Sequence, residues 1–234
     1  MKLMLQSAGQ LCAVALTAAL LVGTPTTSTA IPLPNGGTVV PNNTAGFAGG
    51  TVITSLSGNF DTDPVFGLQG TYISAVVRAA NGVTLDFYYQ FSVLGQGPQH
   101  DPLDGISRFS LASYDAFLTD VTFDASGATA AALGLGIQGN QAPSTADRSL
   151  GGGTVAFNFS VGGPEVTVGE TTNWLRVSTN ATAFTTGIGG FINGGADRDT
   201  IFTPIPEPAT GLFGLALLGM VTAARPRRSR ELAL

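Results

Sequence analysis

The chain has 234 residues, ten basic and fifteen acidic side chains, a formal net charge of −5, and only one cysteine and one histidine. A lone cysteine excludes a disulfide framework and a thiolate metal site. Between Ile31 and Ile205 there are 13 acids against 5 arginines and no lysine, an excess of 8 negative charges, which argues against binding nucleic acid or docking on anionic lipid.

Met1 to Ala30 reads as a secretory signal peptide: Lys2 is a thin positive start, Leu11 to Val22 is the apolar core, and Ser28-Thr29-Ala30 puts small residues at the cleavage site. Cleavage is expected between Ala30 and Ile31. Cys12 falls inside the apolar core, and Gly9-Gln10-Leu11 is not a lipobox, so a lipoprotein signal is disfavoured. Removing this leader and the tail described below leaves roughly 175 residues, enough for one domain with its own core.

Residues 31–50 contain Pro32, Pro34, Pro41 and several glycines, and predict an irregular arm. A β-rich passenger over residues 51–204 follows. Its clearest strand is Val83 to Val93. There Val83, Leu85, Phe87, Tyr89, Phe91 and Val93 share one face, while Thr84, Asp86, Gln90 and Ser92 share the other. Strict period two predicts a strand buried on one face. Asn81-Gly82 before it is a tight-turn signal, making Thr71 to Ala79 its hairpin partner. Val155 to Val161 and Phe117 to Phe123 alternate in the same way. Further strands are expected at Val52–Phe60, Ile106–Leu111, Val166–Val168, Trp174–Thr179, Ala181–Thr186 and Ile201–Thr203. Ala125 to Gln138 is the one helix candidate, weakened by Gly127, Gly134 and Gly136. Gly139 to Gly153 reads as a long loop. The fold expectation is all-β: an antiparallel sandwich or jelly roll, flanked by a signal-peptide helix and a transmembrane helix.

Residue types for chemistry are sparse. His100, beside Asp101 and Asp104, could serve as a base or a ligand, but reads more simply as an exposed loop histidine. No Gly-x-Ser-x-Gly elbow occurs. Calcium, which takes carboxylate and carbonyl oxygens, has two weak candidates, Asp61 with Asp63 and Asp197 with Asp199. Tyr88, on the polar face of its strand, and Trp174 are candidate sugar contacts. A glycosidase would need a carboxylate pair, which thirteen acids leave unassigned. No cofactor is implied.

The C-terminal stretch is the most specific signal. Pro206-Glu207-Pro208 precedes an uncharged run from Ala209 to Ala224, followed by Arg225, Arg227, Arg228 and Arg230. As a helix, residues 209–224 would be about 24 Å long, just short of the bilayer core, and the arginines could snorkel to the headgroups. They also predict a cytoplasmic C-terminus, which puts the passenger across the membrane. Both prolines favour a stiff, extended, accessible junction. A sortase-type signal would require Leu where Glu207 stands, and a GPI signal would not end in arginines.

These residues resemble the PEP-CTERM sorting signal, with all three parts in order over residues 205–230. The resemblance implies recognition by an exosortase, a membrane cysteine transpeptidase, and transfer to the cell surface or extracellular matrix. It also implies a precursor exported by the general secretion machinery and held in a bacterial inner membrane with its β-domain periplasmic. Leu85-Asp86-Phe87-Tyr88-Tyr89-Gln90, Ala146-Asp147-Arg148, Phe157-Asn158-Phe159 and Thr179-Asn180-Ala181-Thr182 resemble domains that travel with this signal, which carry no defined activity. The expected role is a non-enzymatic structural or adhesive module, with exopolysaccharide as a candidate partner. The alternatives are a carbohydrate-binding module and a secreted hydrolase.

Overall fold

The computed structural model describes residues 30–44, 49–101, 104–159, 165–193 and 195–205. The signal peptide before Ala30, the Pro206-Glu207-Pro208 motif, the apolar run and the four terminal arginines lie outside the described residues.

The domain is mostly β, in two sheets whose pairings are antiparallel with one exception. The short segments β1 (Ile31–Pro32), β2 (Thr38–Val39) and β3 (Asn42–Asn43) are followed by a meander of long strands. This is β4 (Thr51–Asp61), β5 (Leu68–Arg78) and β6 (Leu85–Gln96). Next come β7 (Arg108–Ala112), β8 (Thr119–Asp124), the helix α1 (Ala128–Leu133) and β9 (Thr145–Arg148). The chain continues with β10 (Thr154–Asn158), β11 (Trp174–Thr179), β12 (Phe184–Ile192) and β13 (Ala196–Pro204). The first sheet runs β1-β8-β11-β6-β5-β4, and β3 also pairs with β8, in parallel. The second runs β13-β12-β7-β10-β9-β2.

Alternation explains the main core. Phe87, Tyr89 and Phe91 of β6 point toward the second sheet and meet Phe109, Phe157 and Phe191 in one buried cluster. Phe60 stacks on Phe191 with ring centroids 4.2 Å apart, and Phe91 meets Phe109 at 5.6 Å. Each such ring removes a large apolar area from water, worth roughly 1.5–3 kcal/mol. With no cysteine in the domain, this contact between sheets is what holds it together.

The other face of the first sheet departs from the sequence reading. β6 was expected to be buried on one face, yet Asp86, Tyr88 and Gln90 are as buried as their neighbours. Over Tyr88 the covering element is α1, shorter than the expected Ala125–Gln138, and Gln90 is held by the main chain of Ile137 beyond it. Leu133 joins Ala75, Val77, Tyr88 and Trp174 in a second cluster, with Ala130 and Leu135 packed against it. Asp124, at the end of β8, fixes the helix by accepting from Thr129 N at 2.7 Å and Ser126 N at 2.7 Å.

Three further expectations need correction. Residues 31–50 are not merely an irregular arm, because β1 and β3 pair with β8 and β2 pairs with β9. The span Gly139 to Gly153 contains β9, which pairs with both β10 and β2. Val166 makes only an isolated bridge to Ile106. Segments of two to four residues carry too little period to be read before the partner strand is known.

Candidate functional site

Tyr88 and Trp174 do come together, but under α1: they are 2% and 1% exposed, so neither offers a stacking platform to a sugar. Alternation placed Tyr88 on the second face of β6 correctly. Nothing in the local pattern said that this face would be covered.

The same face carries a charged row. Ser178 pairs with Asp86 on one side and Asp120 on the other, and Arg176 lies one pleat further along β11. Asp86 and Asp120 are therefore two strands apart, roughly 10 Å between backbones. Burial pushes both carboxyls above the usual range, and the Arg176 charge pulls both back. A separation of this order matches a carboxylate pair of inverting type. The setting does not: Asp86 is 6% exposed, and the groove of about 710 Å³ that Asp120 lines with Leu33, Asp115, Phe117 and Arg148 does not include Asp86. The two acids do not share a groove.

The calcium candidates are split and regrouped. Asp63 Oδ1 accepts from Val65 N at 2.7 Å and Phe66 N at 2.9 Å, and these backbone donors hold its carboxyl below the ordinary value. Asp61 instead lies beside the start of β13, where its N–H donates to Asp197 Oδ2 at 2.7 Å, and Gln69 Nε2 donates to Asp61 Oδ2 at 3.1 Å. Asp197 and Asp199 hydrogen-bond to each other. Burial, then the Asp197 charge, then that shared bond push Asp199 up to about 6. Among the described residues no group of three or more His, Cys, Asp or Glu side chains is placed to hold a metal ion. A shallow cavity of about 450 Å³ adjoins this corner, lined by Asn59, Asp61, Gln69, Thr71 and Leu94.

His100 is buried rather than exposed as expected. Its Nδ1 lies 2.5 Å from Phe66 O and its Nε2 3.2 Å from Asp104 O, so both ring nitrogens are taken up by main chain. It clasps two loops and has no nitrogen facing open space.

The sequence reading quoted Arg148 within Ala146-Asp147-Arg148 and passed over Arg108, and it gave neither cation the structural role it has. Arg148 is 5% exposed and donates to four main-chain oxygens: Gly152, Leu33, Tyr114 and Phe117. Arg108 pairs with Asp147 (Nη2 to Oδ1, 2.8 Å) and also donates to Asn158 Oδ1 at 2.7 Å. Asn180 Oδ1 accepts from Leu118 N at 2.9 Å. The available signal was scarcity: with only 5 cations between Ile31 and Ile205, each is a candidate to be held rather than solvated. Comparison of the chain with protein-family models, with curated proteins and with solved structures gives no match in any of the three.

Proposed function

We propose that this is an exported bacterial surface or extracellular-matrix protein, with a non-enzymatic structural or adhesive β-sandwich as its passenger. The signal peptide directs translocation. Residues 205–230 hold the precursor in the inner membrane with the arginine cluster cytoplasmic, and an exosortase processes the chain near Pro206-Glu207-Pro208. The mature domain stands at the surface, where exopolysaccharide is a candidate neighbour.

One observation carries this reading: the last described strand stops where the tripartite tail begins in the sequence. β13 ends at Pro204, Ile205 N still donates to Ala183 O, and Pro206-Glu207-Pro208 follows at once. The other boundary agrees, because Ile31, the first residue after the expected cleavage, opens β1 opposite Val121. Both boundaries support a passenger that begins and ends where the two expected processing sites fall in the sequence. Further support for a non-enzymatic role comes from the polar side chains themselves. Asp147, Arg148, Asn158 and Asn180, which sit in the motifs shared with travelling domains, are engaged in holding loops and strands together. His100 is likewise engaged with main chain.

The test is intact-mass and C-terminal peptide mapping of the protein from its native cells, with and without the exosortase. A mature form ending near Pro206 only when the enzyme is present is the expected result. A chain running through Leu234 in both strains would reduce the tail to a plain anchor. Replacing Arg225, Arg227, Arg228 and Arg230 by neutral residues should weaken retention and processing in the same assay.

A further inference from the structure

Charge divides unevenly between the two ends of the sandwich. At one end lie residues 33–37, 79–84, 113–118, 149–153 and 180–183. Arg148 ties three of these connections together, Leu118 N donates to Asn180 Oδ1, and Leu85 N donates to Ala181 O. Asp115 is the only charged residue among them. At the opposite end, residues 62–67, 97–107 and 159–173 carry Asp63, Asp101, Asp104, Glu165 and Glu170.

The nearly uncharged end is apolar at its tips. Leu150 is 89% exposed in the glycine-rich turn Ser149 to Gly153, Leu118 is 75% exposed, and Val83 is exposed just after Asn81-Gly82. A single exposed leucine is ordinary. Here three apolar tips share one end with a single charge. Val65, Phe66 and Val168 are exposed at the opposite end, but they stand among the acids. Charge, not apolarity alone, separates the ends.

This is also the end where the chain leaves. β13 runs toward it, pairing Ala196 with Ile192 at its start and Pro204 with Phe184 at its finish. Ile205 N donates to Ala183 O, three residues from the Asn180 that holds Leu118. Four steps of chain lead from Ile205 to Ala209, at most about 14 Å when extended. A headgroup layer is roughly 6 Å deep, so a helix starting at Ala209 keeps Ile205 within about 8 Å of the bilayer surface.

We propose that this end of the sandwich rests on a neutral, zwitterionic bilayer, with Leu118 and Leu150 set into the headgroup–acyl boundary and Val83 at the rim. The inference rests on the reading of residues 209–224 as a membrane helix. That tether makes weak insertion sufficient, because a short link gives a high effective concentration. The domain's 8 excess negative charges oppose an anionic surface, but they weigh little against a neutral one. The eleven and twelve residues of β5 and β6 also set the acid-rich end roughly 35 Å away, several screening lengths off. A domain seated in this way presents the Pro206-Glu207-Pro208 junction to a membrane enzyme at headgroup depth.

The test puts single fluorophores on the full chain carrying Cys12→Ser, in phosphatidylcholine nanodiscs with and without nitroxide-labelled lipid. Ala116→Cys and Gly151→Cys, both exposed, place the dye beside the two leucines, Val168→Cys places it at the far end, and Leu217→Cys places it in the apolar run. The dyes at 217, 116 and 151 should be quenched by the labelled lipid, the last two with a blue shift, while the dye at 168 stays as in water. Leu118→Ser combined with Leu150→Ser should cut the quenching at 116 and 151 at least about threefold. Leu94→Ser, exposed at the far end of β6, should not. Anionic phosphatidylglycerol added to the disc should weaken the contact. Trp174 emission checks that each variant is folded. Quenching at 217 with 116 and 151 no different from 168 overturns the inference and leaves the membrane helix standing. So does quenching at 116 and 151 that the two serines leave unchanged. A dye at 217 that the lipid does not quench removes the membrane helix, and this inference with it.

Discussion

Arg148 and Leu33 are 115 positions apart in the chain, yet Arg148 Nη1 donates to the Leu33 main-chain oxygen at 3.3 Å. The same guanidinium holds Tyr114 O, Phe117 O and Gly152 O, so one side chain ties the N-terminal segment to the β7–β8 and β9–β10 connections. Its charge is desolvated, which lowers its basicity somewhat, with Asp115 acting against that. Arg148→Ala should cost about 3 kcal/mol, because it strands buried carbonyl oxygens. Arg148→Lys should recover little, since a single ammonium cannot span the fork. Chemical denaturation measures the loss, and limited proteolysis should find new cutting between Asn35 and Val40. A stable Arg148→Ala with an uncut segment would show that the clamp is dispensable.

The Asp197–Asp199 pair predicts a pH dependence of unusual sign. Asp199 is raised to about 6 in the fold, above its value in the unfolded chain. Folding therefore takes up a proton, and the contribution is fully present below about pH 4 and lost as pH rises through 6. Asp199→Asn keeps a donor for Asp197 without the charge. It should raise Tm at pH 7 by about 2 °C and leave it unchanged at pH 4. Thermal melts across that range check it, and an equal shift at both pH values would remove the titration argument.

Asp147 acts in the opposite direction. Burial disfavours its charge, but hydrogen bonds from Arg108 and Asn158 outweigh that and hold its carboxyl below the ordinary value. Its stabilisation is present above about pH 4 and is lost as pH falls through the lowered folded value. Both partners are partly exposed, with side chains 32% and 24% accessible, so solvent screening limits Asp147→Asn to a loss of about 1 kcal/mol at pH 7. The deficit should fade as pH drops through that lowered value and should shrink in high salt. A deficit that persists in acid would mean that Asp147 acts through packing alone.

The sequence was most readable where a strand is long and its partner is near. β4, β5 and β6 followed from period two and from Asn81-Gly82, although the turn extends to Thr84 and leaves Val83 exposed. β11 matched its expected bounds, Trp174 to Thr179. What stayed hidden depends on distant residues. His100 is buried because Phe66 O, 34 positions away, meets its ring. Tyr88 is buried because six residues of helix cover a face that alternation marked as polar. Arg148 fell within Ala146-Asp147-Arg148, but nothing local gave its role: its partners are carbonyl oxygens, which every residue supplies.

The cover over that second face can be tested through the chain's one tryptophan. Trp174 is held against Tyr88 and Leu133, and Gly136 approaches so closely that a Cβ there would lie 2.7 Å from Trp174 Cζ2 and 2.3 Å from Gln90 Oε1. Gly136 also has φ of +65°, which an L side chain resists. Two variants attack the cover from different sides. Leu133→Ala opens space under α1 and should cost about 2 kcal/mol. Gly136→Ala forces the segment off the sheet and should cost as much or more. Both should shift Trp174 emission to the red, while a Leu118→Ala control, 75% exposed, should not. Oligosaccharide added to the wild type should leave the emission unchanged, because the indole is sealed from solvent. A sugar-induced shift would return Trp174 to the list of ligand contacts and require the cover to open.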